Sequence, residues 1–284
     1  MENPLNCFQE LPLETVSSLF LGESDHMPCE DYVMTLKAMK SSYIFRRETV
    51  SLIMQAAQSF DPFLKYLAIN YLDRFLSIQG IPQSKPWMKK ILSVSCVSLA
   101  AKMTNTDFQV DETLLVDAQT LNKMEITILG VLKWRMRSIT PFSFIHFFVS
   151  LLKLKDPPLP EALKAQAFHS IINSQNDITL IEFKPSIIAA AAVLSASDEL
   201  LLIQLPDPMK SFSACSFINT ASLAQCYNRM KEAIAGCDAG TSARQQCVFT
   251  RGREIGDECM KRRKLGGLLW KSDGRVAAFS DPPP

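Results

Sequence analysis

The fold is decided by two stretches rich in small residues, SVSCVSLAAKM at 93–103 and SIIAAAAVLSA at 186–196. Ser, Ala and Cys recur through the first, and Ala dominates the second. Small side chains let neighbouring helices approach closely, so each stretch is typical of a central helix that other helices surround. The second stretch follows the first at about one domain length, which indicates a duplicated helical unit.

Helix signals continue on both sides of these stretches, and no β-hairpin pattern interrupts them. Asp61 followed by Pro62 indicates an N-cap and a first-turn proline, and the apolar residues behind them recur at helical spacing. Thr120 is predicted to open a further helix. We therefore predict an all-α fold with two helical bundles, at 41–137 and at 138–235.

The two ends of the chain differ from this helical body. Residues 1–40 contain seven acidic residues and two lysines with little apolar periodicity, which predicts an acidic, mostly flexible lead. Seven of the ten glycines lie in residues 236–284, which predicts a polar, disordered tail.

Charge and hydropathy argue against two classes of protein. The 30 Lys and Arg residues balance 29 Asp and Glu residues, and a net charge of +1 does not suit a non-specific nucleic-acid binder, which needs a strong basic excess. The longest apolar run, Ile187–Leu194, is far shorter than the roughly 20 residues of a membrane span. The first ten residues lack the basic start and apolar run of a secretion signal. We expect an intracellular protein with no nucleic-acid or membrane partner.

Motifs typical of enzymes and metal sites are missing from the sequence. The eight cysteines never form CxxC, and with three histidines they predict neither a zinc site nor a disulfide framework. No glycine-rich phosphate loop, GxSxG, HExxH or helical DDxxD cluster occurs. His26, His146 and His169 have no evident catalytic partner, so each is interpreted as a surface or packing residue. We expect no metal, no cofactor and no enzymatic activity, which leaves a binding surface as the place of function.

The decapeptide LAINYLDRFL at Leu67–Leu76 closely resembles the second helix of the cyclin box. The resemblance continues collinearly through FRRETVSLI at 45–53, LAAKM at 99–103, KMEITILGVLKWRM at 123–136 and SITPFSFIHFF at 138–148. Together these segments resemble plant D-type cyclins over about residues 41–235. The resemblance implies two five-helix cyclin boxes in tandem, which agrees with the two predicted bundles.

In cyclins, the first box packs against the regulatory helix of a cyclin-dependent kinase. The resemblance implies that this chain is such a regulatory subunit in G1/S control, and that its kinase partner supplies ATP, magnesium and the catalytic Asp. Kinase inhibitors are further candidate partners. The residues that match the kinase-contact surface of the family are Lys102, Met103, Glu125, Leu129, Trp134 and Met136.

Some of these residues also have a simpler interpretation. Taken singly, Lys102 and Glu125 would be interpreted as ordinary surface charges, but the presence of both residue types at positions that match the family favours the contact role. Leu129 suits internal packing as well as an interface. Thr104 and Asn105 stand where the family often has two glutamates, so one charge contact with the kinase is expected to be missing.

Arg46 and Asp73 are candidates for a structural ion pair between two helices. Asp73 lies between Leu72 and Phe75 on a largely apolar helix, where an unpaired carboxylate would be costly. Taken alone, the two residues are also consistent with solvated charges, whereas the match to cyclins implies the pairing.

A degenerate binding motif lies in the lead. Leu5 and Cys7 of LNCFQ match the LxCxE motif by which many D-type cyclins bind retinoblastoma-like proteins, but Gln9 replaces the glutamate. The replacement removes a charge from a charge-assisted contact, so we expect weak or no binding to such proteins.

A basic cluster lies in the tail, formed by Lys261, Arg262, Arg263 and Lys264. It is consistent with a solvated charge run and with a nuclear import signal of the kind found in plant D-type cyclins. We expect the protein in the nucleus and also in the cytoplasm.

Two other functions stand as alternatives. A transcription factor with a cyclin fold would bind promoter DNA and a polymerase, and it would need a basic groove, often with a zinc ribbon. An all-α enzyme would need metal-binding carboxylate clusters. Neither feature is evident in the sequence.

Overall fold

The computed structural model describes residues 13–81, 86–109, 117–154, 158–200 and 208–240. Within these ranges the chain forms α-helices and short 3-10 helices, with no strand, so the all-α prediction is confirmed. The α-helices are α1 (Leu13–Gly22), α2 (Asp31–Ala38), α3 (Lys40–Ala56), α4 (Pro62–Gln79), α5 (Pro86–Met103), α6 (Ala118–Val131), α7 (Phe142–Leu151), α8 (Pro158–Asn173), α9 (Pro185–Leu200), α10 (Pro208–Ser213) and α11 (Thr220–Gly240).

The first bundle packs α3, α4 and α6 around α5. Leu92, Cys96 and Ala100 of α5 are completely buried. The burial of Cys96 raises the pKa of its thiol, which suits a small packing residue. The first small-residue stretch therefore forms a central helix, as predicted.

Side-chain caps fix where two helices of this bundle begin. Asp61 accepts a 2.9 Å hydrogen bond from the backbone N–H of Leu64, and Pro62 is the first residue of α4. Asp117 likewise accepts a 3.0 Å hydrogen bond from the backbone N–H of Thr120. The sixth helix thus begins two residues before the predicted start at Thr120, because Asp117 is its N-cap.

The second bundle packs α7, α8, α10 and α11 around α9. Residues Pro185–Ser197 of α9 are buried without interruption. Large aromatic side chains fill the space around this small-residue helix, namely Phe142, Phe144, Phe148 and Phe212. The prediction of two tandem bundles, each around a small-residue helix, is confirmed.

The lead differs from the prediction of a mostly flexible segment, because α1 and α2 are ordered helices joined through a 3-10 helix at Glu23–His26. Val16 and Phe20 of α1 are buried in the core of the second bundle. Tyr32 and Leu36 of α2 are buried in the core of the first. Each pair is four positions apart and so lies on one helix face, a pattern that the high count of acidic residues obscured. The lead therefore packs on both bundles.

Candidate protein-binding surface

A cleft of about 610 Å³ opens where the C-terminal ends of α5 and α6 meet the segment that joins the bundles. We call it the α5/α6 cleft. Its lining residues are Leu99, Lys102, Met103, Leu129, Trp134, Arg135, Met136, Arg137, Asp25 and His26. Five of the six residues matched to a kinase contact thus border one cavity. The sixth, Glu125, forms an ion pair with Lys102.

Apolar side chains at this cleft are open to solvent. Trp134 is 70% exposed and Met103 is 36% exposed. Leu129 is half-buried, and Met136 is buried in the first core. Large exposed apolar side chains around a concavity are typical of protein interaction sites.

A Schellman turn at the end of α6 places Trp134 at the cleft. Lys133 adopts a left-handed conformation with φ 52°, and its N–H donates to the carbonyl of Gly130 at 3.1 Å. The N–H of Trp134 donates to the carbonyl of Leu129 at 2.9 Å. This pair of hydrogen bonds reverses the chain and sets Trp134 beside Leu129. An apolar residue at each of these two positions is common in this motif.

The end of α5 is capped in the same way. Asn105 has φ 50°, its N–H donates to the carbonyl of Lys102 at 3.4 Å, and the N–H of Thr106 donates to that of Ala101 at 2.9 Å. Asn tolerates this left-handed conformation better than most residues. Asn105, which stands where the family often has a glutamate, therefore has a role in ending α5. The sequence could have indicated this helix end, because LAAKM at 99–103 is followed by Thr104 and Asn105, and Asn is common just past the end of a helix.

Two side chains of α4 form hydrogen bonds with the backbone of the segment that follows Trp134. Tyr71 donates from its hydroxyl to the carbonyl of Met136 at 2.6 Å, and Arg74 donates from Nη1 to the carbonyl of Arg135 at 3.0 Å. Burial raises the pKa of Tyr71 and lowers that of Arg74. Both side chains are thus committed to structural hydrogen bonds that fix one wall of the cleft.

Lys102 and Glu125 form an ion pair, with 2.5 Å between Nζ and Oε2. The Lys102 side chain is 60% exposed, but that of Glu125 is 7% exposed. The interpretation of Glu125 as an ordinary surface charge is therefore wrong, since α6 turns it inward behind the lysine. Its Oε1 is buried and accepts no hydrogen bond from any described residue. The pair thus presents a cation to solvent over a carboxylate with spare acceptor capacity.

The structure places Arg46 and Asp73 together inside the first bundle. Nε and Nη2 of Arg46 donate to the two carboxylate oxygens of Asp73 at 2.7 and 2.9 Å. Tyr32 of the lead donates to the same carboxylate at 3.0 Å, and Nη1 of Arg46 donates to the carbonyl of Gln175 at 3.1 Å. Burial alone would lower the pKa of Arg46, but the charge of Asp73 raises it above its ordinary value. The network joins the lead, both helices and the second bundle, and its role is structural.

Several predicted features lie outside the described residues. They are the motif residues Leu5, Cys7 and Gln9, and the basic cluster Lys261, Arg262, Arg263 and Lys264. Within the described ranges, no group of three or more His, Cys, Asp or Glu residues is arranged to hold a metal ion. None of the described helices is both long and apolar enough to span a membrane.

Comparison with known proteins gives one consistent family. The model of the cyclin N-terminal domain matches residues 14–137, and that of the cyclin C-terminal domain matches residues 139–250. The first match includes α1 and α2, in line with their packing.

Similar proteins include plant D-type cyclins. A candidate cyclin-D6-1 of Arabidopsis thaliana is 47% identical over 223 residues, which cover 76% of this chain and 74% of that protein. Rice cyclin-D6-1 is 33% identical over 99% of this chain and 90% of its own length. A viral cyclin from herpesvirus saimiri, of known X-ray structure, superimposes with a TM-score of 0.59 over 68% of this chain and 85% of its own, at 16% identity. The chain belongs to the cyclin family, and within it to the plant D-type cyclins.

Proposed function

We propose that this chain is the regulatory subunit of a cyclin-dependent kinase, which it binds through the α5/α6 cleft and activates in G1/S control. Members of the cyclin family are regulatory subunits rather than enzymes, and the D-type relatives indicate a role in the cell cycle. The observation that carries the proposal is the gathering of five matched contact residues around one cleft.

The composition of the cleft suits a protein interface. Trp134 and Met103 supply a large aromatic ring and a flexible thioether, which are enriched at interface cores. Because Leu129 and Met136 lie partly or wholly beneath the surface, a partner side chain that enters the cleft would meet apolar walls.

Charge would orient the kinase on this surface. Lys102 uses one donor on Glu125 and keeps the others for backbone carbonyls of the partner. The spare oxygen of Glu125 would accept a hydrogen bond from a partner N–H once the surface is covered. A buried charge pair that gains such contacts adds orientation as well as affinity.

Activation would follow from differential affinity. A cyclin that binds the active arrangement of the kinase better than the inactive one shifts the population toward the active form. ATP, magnesium and the catalytic Asp belong to the kinase, so this chain would act on the reaction through the conformation of its partner.

Binding to a panel of purified cyclin-dependent kinases, followed by a phosphotransfer assay, tests the proposal. We expect one or more kinases to bind and to gain activity, and Trp134→Ala to weaken binding by about thirtyfold, as for an interface hot spot of about 2 kcal/mol. Trp87→Ala is a matched control, because Trp87 is 52% exposed on α5 and does not line the cleft. Unchanged affinity in Trp134→Ala, or no kinase binding by the wild type, would contradict the proposal.

We further propose that retinoblastoma-like proteins bind the lead weakly and that the basic cluster directs nuclear import. Gln9 lacks the charge of the family motif, so a peptide of residues 1–15 should gain affinity for a pocket protein on Gln9→Glu. Alanine at all four positions of the basic cluster should reduce nuclear accumulation of a fluorescent fusion without affecting kinase binding. Unchanged accumulation would contradict the import role.

A further inference from the structure

The lead supplies one wall of the α5/α6 cleft. Asp25 and His26 line it, although they precede its other lining residues by more than 70 positions. Both belong to the 3-10 helix Glu23–His26, which we call the lead turn. The Asp25 side chain is 67% exposed and lies 3.5 Å from Arg135, between Oδ2 and Nη1. A partner that fills the cleft would therefore touch the lead turn.

Glu23 anchors this turn to the second bundle. The Glu23 side chain is only 2% exposed, and its two carboxylate oxygens accept hydrogen bonds from the backbone N–H and the hydroxyl of Ser186, at 2.8 and 2.9 Å. Ser186 lies in the first turn of α9, where backbone N–H groups have no partner within the helix. Glu23 thus caps a helix that is more than 160 residues away in sequence. A carboxylate at a helix N-terminus is also favoured by the helix dipole.

Other contacts connect the turn and the residue before it to the first bundle and to Ile139, in the segment between the two bundles. The carbonyl of His26 accepts a 3.1 Å hydrogen bond from Nδ2 of Asn70 on α4. A Cβ atom at Gly22 would lie 3.2 Å from Cδ1 of Ile139, so the chain packs closely just before the turn. The lead turn is therefore held between α9 and α4, and Glu23 is its only link to α9 that is both buried and charged among the described residues.

We propose that Glu23 is a positioning residue for kinase binding, which holds the lead turn in place as a wall of the α5/α6 cleft by capping α9. This inference rests on the proposed binding of a kinase at that cleft. It extends the interface beyond the first bundle to a segment anchored on the second, so the two bundles set the width of the cleft together.

Kinase affinity of Glu23→Gln tests the inference. Glutamine keeps the shape of the side chain but removes its negative charge and one of its two acceptor oxygens. The charge-assisted hydrogen bond to the backbone N–H of Ser186 and the favourable interaction with the dipole of α9 are therefore weakened. We expect affinity to fall roughly tenfold, a typical coupling through a positioned element. Glu30→Gln is the matched control, because Glu30 is an exposed acid of the same lead outside the cleft. Cys226→Ala controls for general loss of stability, because Cys226 is buried in the second core away from the cleft.

A double-mutant cycle with Trp134→Ala separates positioning from general destabilisation. If Glu23 acts through the cleft, Glu23→Gln should weaken binding much less when Trp134 is already removed. If Glu23→Gln lowers kinase affinity by the same factor in the wild type and in Trp134→Ala, the inference is overturned. If Glu23→Gln folds poorly, Asp25→Lys is the second variant. It changes an exposed residue of the lead turn that lines the cleft, and we expect it to lower kinase affinity as well.

The outcomes distinguish this inference from the proposed function. If Trp134→Ala weakens binding while Glu23→Gln and Asp25→Lys bind like the wild type, the cleft binds the kinase and the role of the lead turn is wrong. If Trp134→Ala itself leaves affinity unchanged, the proposed surface is wrong and the inference falls with it.

Discussion

The two bundles share a plan, a small-residue helix surrounded by others, but they differ in how they treat charge. The first bundle buries the Arg46–Asp73 pair and leaves Trp134 open to solvent. In the second bundle, ion pairs between its own described residues lie at the surface, as for Asp198 and Lys231, and aromatic rings fill the interior. The second bundle is thus built from its own residues mainly by apolar packing, and the buried carboxylate at the start of α9, Glu23, comes from the lead. We attribute the exposed apolar side chains of the first bundle to its proposed binding role, and its buried charge pair to the joining of this bundle with the lead and the second bundle.

The largest effect should come from breaking the buried Arg46–Asp73 ion pair of the first bundle. We expect Asp73→Ala to destabilise the protein by about 3 to 5 kcal/mol, because it leaves Arg46 buried and unpaired. Asp198→Ala, at an exposed ion pair of the second bundle, should cost less than about 1 kcal/mol. Chemical denaturation measures both, and similar losses would refute the contrast.

Exposed aromatic residues should separate binding from stability. Phe217 of the second bundle is 47% exposed and stacks on Phe20 at 4.7 Å between ring centroids, so Phe217→Ala should cost about 1 to 2 kcal/mol. Trp134→Ala should change stability by less than about 0.5 kcal/mol, because its ring faces solvent. Thermal unfolding and kinase affinity are compared for both variants. If Trp134→Ala lowers the melting temperature as much as Phe217→Ala does, Trp134 is a packing residue.

The left-handed positions should behave alike in the two bundles. Lys133 after α6 and Lys153 after α7 have φ angles of 52° and 48°. Glycine adopts this conformation without the Cβ clash, so each Lys→Gly change should stabilise the protein by about 0.5 to 1 kcal/mol. Lys123→Gly, within α6, should destabilise it by a similar amount. A loss of stability at 133 would show that the turn does not hold that conformation in solution.

We expect the smallest effect from pH at the lead turn, since His26 is only half-buried. Burial lowers the pKa of His26 below its ordinary 6.5, and Arg74 and Arg135 lower it further while Asp25 raises it. Below about pH 6.5 the unfolded chain therefore binds a proton that the folded chain does not, so stability falls as pH drops through that range. Melting temperatures at pH 7.5 and 5.5 should differ less for His26→Asn than for the wild type. An equal difference would contradict this assignment.

Much of the fold was predictable because its signals are local. The Asp61–Pro62 cap acts within one turn of its own helix, and the small-residue stretches act through their own surfaces. The lead was mispredicted because α1 and α2 bury their apolar faces in different bundles. A short amphipathic segment gains its stability from such packing rather than from helix propensity.

The sequence by itself determined the two central helices, the family, and the residue types that match the kinase-contact surface of the family. Only the tertiary structure decided that Glu125 lies buried behind Lys102, that Glu23 caps α9, and that the lead completes the cleft. The physical reason is the range of the interactions. Caps and helix periodicity depend on residues a turn or two apart, whereas burial and long-range hydrogen bonds depend on which distant helices pack against each other.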